Sequence, residues 1–194
     1  MSVVLLGSTS GSITLQEPAV AGSTVLDLPA VSGTILTTTS PAVGNVIQVV
    51  TATTNAFAST TNTIPLDDTI PQNTEGAEFL TCSITPKFSS SKLYIDVVFN
   101  TCASNTGALS TIALFQDSTA NALVACWGNT PSANNPPPPM TMSYSMTAGT
   151  TSSTTFKIRG GMNSAGTFQV NGASGARYLG GSMISFIRIT EVAA

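Results

Sequence analysis

The chain has 194 residues, enough for one domain of ordinary size and a smaller appendage. Only 8 % of it is charged while 42 % is hydrophobic, so its 54 serines and threonines supply most of the polar surface. Histidine is absent, which excludes Ser-His-Asp and Cys-His nucleophiles and His-ligated zinc. Six scattered basic residues at net charge −3 give no phosphate-neutralising face, so neither nucleic acid nor membrane is expected as a partner.

The N-terminal run Val3, Val4, Leu5, Leu6 is too short for a secretory signal and has no basic residue before it. A repeat follows, in which Gly11, Gly22, Gly33 and Gly44 recur every eleven residues. Gly and Pro in each unit exclude a helix. Ile13 and Leu15, then Val25 or Leu26 and Leu28, read instead as brief extended segments closed by Pro-Ala-Val turns. Units this short cannot bury a core alone. Residues 1–45 are therefore expected to be an anchoring or intertwining segment, with Val3, Val4, Leu5, Leu6, Ile13 and Leu15 as its contact positions.

Residues 46–194 read as an all-β, antiparallel, jelly-roll-like sandwich. Strands are expected at 46–50 and 79–84, with an extended edge segment at 64–71 between them, because Pro65 and Pro71 each remove a ladder donor. The clearest strand is 92–100, where Leu93, Ile95, Val97 and Phe99 alternate with Lys92, Tyr94, Asp96 and Val98 and so form a core face. Further strands are expected at 111–116, 123–127, 140–146, 154–159, 167–170 and 183–192. The loop 128–139, ending in four prolines, is expected to be stiff and to project from the sandwich. That makes Trp127, Asn129, Asn134, Asn135, Pro136 and Pro139 an exposed contact loop.

Few groups carry chemistry. Cys82, Cys102 and Cys126 have no metal-knuckle spacing and read as buried free thiols, with one intrachain pair as the alternative. Asp67 and Asp68 are adjacent and point apart on an extended chain, so they read as solvated carboxylates. Gly160-Gly161 and Gly180-Gly181 lack the Lys-Ser/Thr of a phosphate loop and read as turns, bulges or close backbone approaches at strand ends. Trp127, Tyr94, Tyr144 and Tyr178 could stack on sugars, but they fall on separate strands. No catalytic residue, cofactor or metal ligand is assigned, and an enzyme is not expected.

The segment Gly11-Ser-Ile-Thr-Leu-Gln-Glu-Pro-Ala-Val-Ala, with its near copy from Gly22, resembles the N-terminal stretch of tailed-bacteriophage virion proteins. Ile64-Pro-Leu-Asp-Asp-Thr-Ile-Pro, Ile84-Thr-Pro-Lys-Phe-Ser-Ser-Ser-Lys-Leu, Ala113-Leu-Phe-Gln-Asp-Ser and the closing stretch from Gly172 to Glu191 resemble C-terminal domains of phage fibre and head-decoration proteins. The resemblance implies a homotrimer at the virion surface, assembled in the host cytoplasm. Its partners would be further copies of itself, the major capsid protein or other virion proteins. Two roles stay open: a capsid decoration (cement) protein on the phage head, and a short tail fibre or fibre tip that binds a host-surface receptor or glycan. The shortness of the segment before the sandwich favours the first.

Overall fold

The structure, a computed structural model, describes residues 2–6, 12–16 and 41–194. The chain divides into two units, Met1–Ile35 and Leu36–Ala194. In the first, β1 (Ser2–Leu6) and β2 (Ser12–Gln16) form an antiparallel ribbon that sets Val3 opposite Leu15 and Leu5 opposite Ile13. The extended segments expected around residues 25–28 and the remaining repeat units lie outside the described residues.

The second unit is a sandwich of two four-stranded antiparallel sheets. Its long strands are β3 (Val46–Thr54), β5 (Ala77–Ile84), β6 (Lys92–Phe99), β8 (Ala108–Gln116), β9 (Val124–Thr130), β10 (Met140–Thr147), β11 (Thr154–Met162) and β15 (Ser185–Val192). Short strands complete the numbering: β4 (Ala58–Thr60), β7 (Thr101–Ala103), β12 (Phe168–Val170), β13 (Gly172–Ala173) and β14 (Ala176–Arg177). One sheet has the order β10-β6-β15-β3 and the other β5-β11-β8-β9. The first long strand therefore pairs with the eighth, the second with the seventh, the third with the sixth and the fourth with the fifth. Nested hairpins of this kind are the connectivity that a jelly-roll arrangement requires.

Alternation decides which face is buried. Leu93, Ile95, Val97 and Phe99 of β6 point inward with Ile187 and Ile189 of β15 and Phe156 and Ile158 of β11, all essentially inaccessible to water. Phe79 links the layers, with its ring centroid 6.3 Å from Phe99 and 5.4 Å from Phe168. Burying one such side chain contributes about 1.5–3 kcal/mol, so this shared face holds the two sheets together.

The outer faces of the two sheets differ. On β5-β11-β8-β9 the outward positions Thr111, Ala113 and Phe115 are buried because the segment 61–76 crosses over them. Ile64 N–H donates to Met162 O at 2.9 Å, and Arg159 donates to the carbonyls of Glu75 at 2.7 Å and Gly76 at 2.9 Å. The expected edge segment at 64–71 is thus a cover, with Ile64 fully buried. The prolines remove ladder donors as argued, but the chain crosses a sheet face and does not extend an edge. The outer face of β10-β6-β15-β3 carries no such cover among the described residues.

Gly160 and Gly161 lie inside β11 and not at its end. A Cβ on Gly160 would sit 2.6 Å from the Phe168 ring, and one on Gly161 would sit 2.7 Å from Asn62 O. Both mark close approach, the first to the core and the second to the covering segment. Gly180 and Gly181 sit at positive φ in the short 3-10 turn Leu179–Gly181. Among the described residues no helix is long and apolar enough to cross a membrane.

Candidate functional site

Loops at the two ends of the sandwich are unequal. At one end the connections 85–91, 117–123 and 148–153 are short, and the chain enters the sandwich beside them. Gly44 N–H donates to Ala193 O, and Ala193 N–H to Asn45 O, both at 2.9 Å. At the opposite end the connections 55–76, 100–107, 131–139 and 163–184 are long. They are knitted together by a small sheet of order β4-β12-β7.

Asn171 is the hub of this distal end. It is fully buried at φ +56, a left-handed conformation that asparagine tolerates better than most residues. Its Nδ2 donates to Thr54 O and Ala56 O, both at 3.1 Å, and its Oδ1 accepts from Ser185 Oγ at 2.8 Å. The end of β3, the loop that follows it and the start of β15 thereby share one side chain.

The proline-rich loop is tied into this platform. Gly128, Asn129 and Thr130 belong to β9, so the loop proper spans 131–139. Ala133 N–H donates to Thr106 Oγ1 at 3.1 Å and Asn134 N–H to Ala103 O at 2.9 Å. Gln169 Nε2 donates to Asn134 Oδ1 at 2.9 Å. The loop expected to project is also tied at its base, because the N–H groups of Ala133 and Asn134, ahead of the prolines, bond to neighbouring loops. Asn134 and Pro136 are half-buried, whereas Asn135 and Pro139 are exposed. Trp127 and Asn129 lie on β9, an edge strand, opposite Thr111 and Leu109. Trp127 is 59 % exposed.

In the N-terminal ribbon, register pairs Val3 with Leu15 and Leu5 with Ile13. Val4 pairs opposite Thr14, and Leu6 is exposed.

The uncovered sheet face holds a cluster of outward polar and charged groups. Register sets Ser145, Tyr94 and Thr190 in one row across β10, β6 and β15, and Ser143, Asp96 and Arg188 in the next. Asp96 Oδ2 meets Arg188 at 3.1 Å, and Asp96 Oδ1 accepts from Ser143 Oγ at 3.0 Å. Tyr94, Asp96, Ser143, Tyr144 and Ser145 line a shallow depression of about 210 Å3. Tyr94 is the aromatic ring on this face; Tyr144, opposite Ile95, has the inward parity of Met140 and Met142 and packs against the core, while Trp127 and Tyr178 lie on other elements. A larger groove of about 370 Å3 runs between residues 67–71 and the start of β9. There Asp67 accepts from Thr69 Oγ1 and from its N–H at 2.9 Å, bonds that hold its carboxyl below the ordinary value.

Two groups carry perturbed chemistry elsewhere. All three cysteines are free, and burial pushes their thiols up, Cys126 to about 11. Glu191 is wholly buried at the short-loop end. Burial opposes its charge, but donors outweigh it and hold the carboxyl below its ordinary value: Gln48 Nε2 at 2.6 Å, Phe88 N–H at 3.2 Å and Lys87 N–H at 2.8 Å. Sequence reasoning passed over Glu191. The available signal was its parity with Ile187 and Ile189, which marks it as inward-facing. Among the described residues no group of three acidic or thiol side chains could hold a metal.

No family model matches the chain, and no curated protein does. Among solved structures, dimeric latent PorU from Porphyromonas gingivalis aligns with 81 % of this chain and 14 % of its own at 11 % identity and a TM-score of 0.38. The infectious bursal disease virus VP2 subviral particle aligns over 76 % and 38 % at 17 % identity and 0.30. The disulfide-linked pili of Bacillus endospore appendages align over 83 % and 100 % at 14 % identity and 0.28. The chain therefore spans well under two thirds of PorU and VP2.

Proposed function

We propose that this protein is a non-enzymatic structural component of a tailed-phage virion, a homotrimeric decoration protein that stabilises the outer face of the head. The observation that carries this reading is the N-terminal ribbon, whose register pairs Val3 with Leu15 and Leu5 with Ile13. A two-stranded ribbon is marginal by itself in water, and a segment this rich in Val, Leu and Ile suits docking on a neighbouring subunit or on the shell. The chain then enters the sandwich at the short-loop end, which leaves the platform of long loops at the far end. Sparse charge supports extensive subunit contacts, because an obligate oligomer covers much of its neutral surface. Burial at about 25 cal/mol per Å2, repeated over many copies, lets weak contacts reinforce the shell.

The second reading, a short tail fibre that binds a host-surface glycan, is favoured by one observation: Trp127 stands exposed on an edge strand that leads into the distal loops. Density or antibody label on intact particles separates the two, since the first requires signal over the head and the second signal confined to the tail. Deleting residues 1–10 is expected to abolish particle binding while the sandwich stays folded. Full binding by the truncated protein would end the anchoring role.

A further inference from the structure

We infer that the uncovered sheet face carries a binding site for a neutral pyranose sugar, centred on Tyr94 and Asp96. This goes beyond the decoration role and stands apart from it, since a head protein without sugar affinity would leave that role intact.

The argument starts from the two rows across β10, β6 and β15. Strand spacing puts neighbours within a row just under about 5 Å apart and separates the rows by about 7 Å, close to the span of one pyranose ring with its hydroxyls. Tyr94 is 47 % exposed at the centre of the first row, flanked by Ser145 and Thr190. An aromatic ring has a negative face, which attracts the polarised C–H groups on the apolar side of a sugar. A ring stacked there extends its hydroxyls over the second row.

That row is built to read hydroxyls. Asp96 is an acceptor only and Arg188 a donor only, so together they recognise two adjacent O–H groups, one donating and one accepting. Their mutual contact at 3.1 Å and the Ser143 bond at 3.0 Å hold the carboxylate in place before a ligand arrives. Because the pair is formally neutral, the site favours an uncharged sugar over an acidic one. Ser143, Ser145, Thr141, Thr147, Thr190 and Thr51 surround it with hydroxyl partners. The 210 Å3 depression is shallow, so affinity per copy belongs in the millimolar range and useful binding comes from many copies acting together.

Saturation-transfer NMR on the full chain tests this, with the methyl glycosides of glucose, galactose, mannose and N-acetylglucosamine as probes at about 10 mM. Transfer to the ring C–H protons of at least one sugar is expected. Tyr94→Ala and Asp96→Asn should each cut it at least tenfold, Tyr94→Phe should retain it, and Trp127→Ala should leave it unchanged. Thermal melting identifies any variant that fails to fold. Absence of transfer from every sugar, transfer that survives both Tyr94→Ala and Asp96→Asn in folded protein, or transfer abolished by Trp127→Ala would overturn the assignment. The last outcome would move sugar binding to the distal loops.

Discussion

Glu191 offers the sharpest test of how the sandwich is closed at its short-loop end. Its carboxylate receives Gln48 at 2.6 Å and the backbone N–H groups of Lys87 and Phe88 at 2.8 and 3.2 Å, so it pins the β5–β6 connection to β15. Glu191→Ala strands these three donors. A buried unsatisfied donor costs about 1–3 kcal/mol, and the partial exposure of Phe88 and Gln48 lets water recover some of it, so the low end applies to each. The expected loss is about 3 kcal/mol, a fall in melting temperature of roughly 6–12 °C for a domain of this size. Glu191→Gln keeps the shape but replaces charge-assisted bonds with neutral ones, for about 2 kcal/mol at neutral pH. Because the folded carboxyl titrates below its unfolded value, the stability it contributes is fully present above the ordinary glutamate pKa of about 4.3. It is lost as pH falls through the lower folded value. The gap between wild type and Glu191→Gln, followed by circular dichroism melting, should therefore be widest near neutrality and close on acidification. Other carboxylates are common to both proteins and cancel in the difference. A gap that stays constant from about pH 7 to about pH 3 would refute the reasoning, as would a Glu191→Ala protein that melts with the wild type.

Two further outcomes follow from close contacts. Gly161→Ala brings a Cβ within 2.7 Å of Asn62 O and 3.0 Å of Ile64 N; since both are backbone atoms, the covering segment must lift, at about 1–3 kcal/mol, and limited proteolysis should cut within 61–76 faster. Asn171→Ala removes two donated bonds and one accepted bond at a positive φ, so hydrogen exchange should quicken in the distal loops by more than tenfold, from a local loss above about 1.4 kcal/mol, while β6 stays protected.

Much of the sandwich was legible because its strands obey strict alternation. Leu93 to Phe99 and Met140 with Met142 announce their inner face directly, and the structure buries each of them. Boundaries fared less well. β3 runs on to Thr54 and β11 to Met162, past the points where hydrophobic alternation fades into Thr and Gly. Thr is β-branched and suits a strand, yet its hydroxyl reads as loop in a chain so rich in it. Two outward-parity residues, Ala113 and Phe115, are buried by a segment some forty residues earlier, a long-range cover that no local period reveals. The sugar site has the same origin. Tyr94, Ser145 and Arg188 share no motif, and only the antiparallel register of β10, β6 and β15 brings them onto one patch.

The pairing of β3 with β15 also decides how the sandwich bears tension. The chain enters at Asn45, and the distal loops lie at the other end of the strands, so a pull between these points runs along β3. Eight registered residue pairs, from Val46 with Val192 to Thr54 with Ser185, are then sheared together and not peeled one by one. Forced unfolding is governed by the unfolding rate, and shared loading raises the barrier that sets it. A pull between Asn45 and the distal loops therefore loads the whole β3–β15 seam at once.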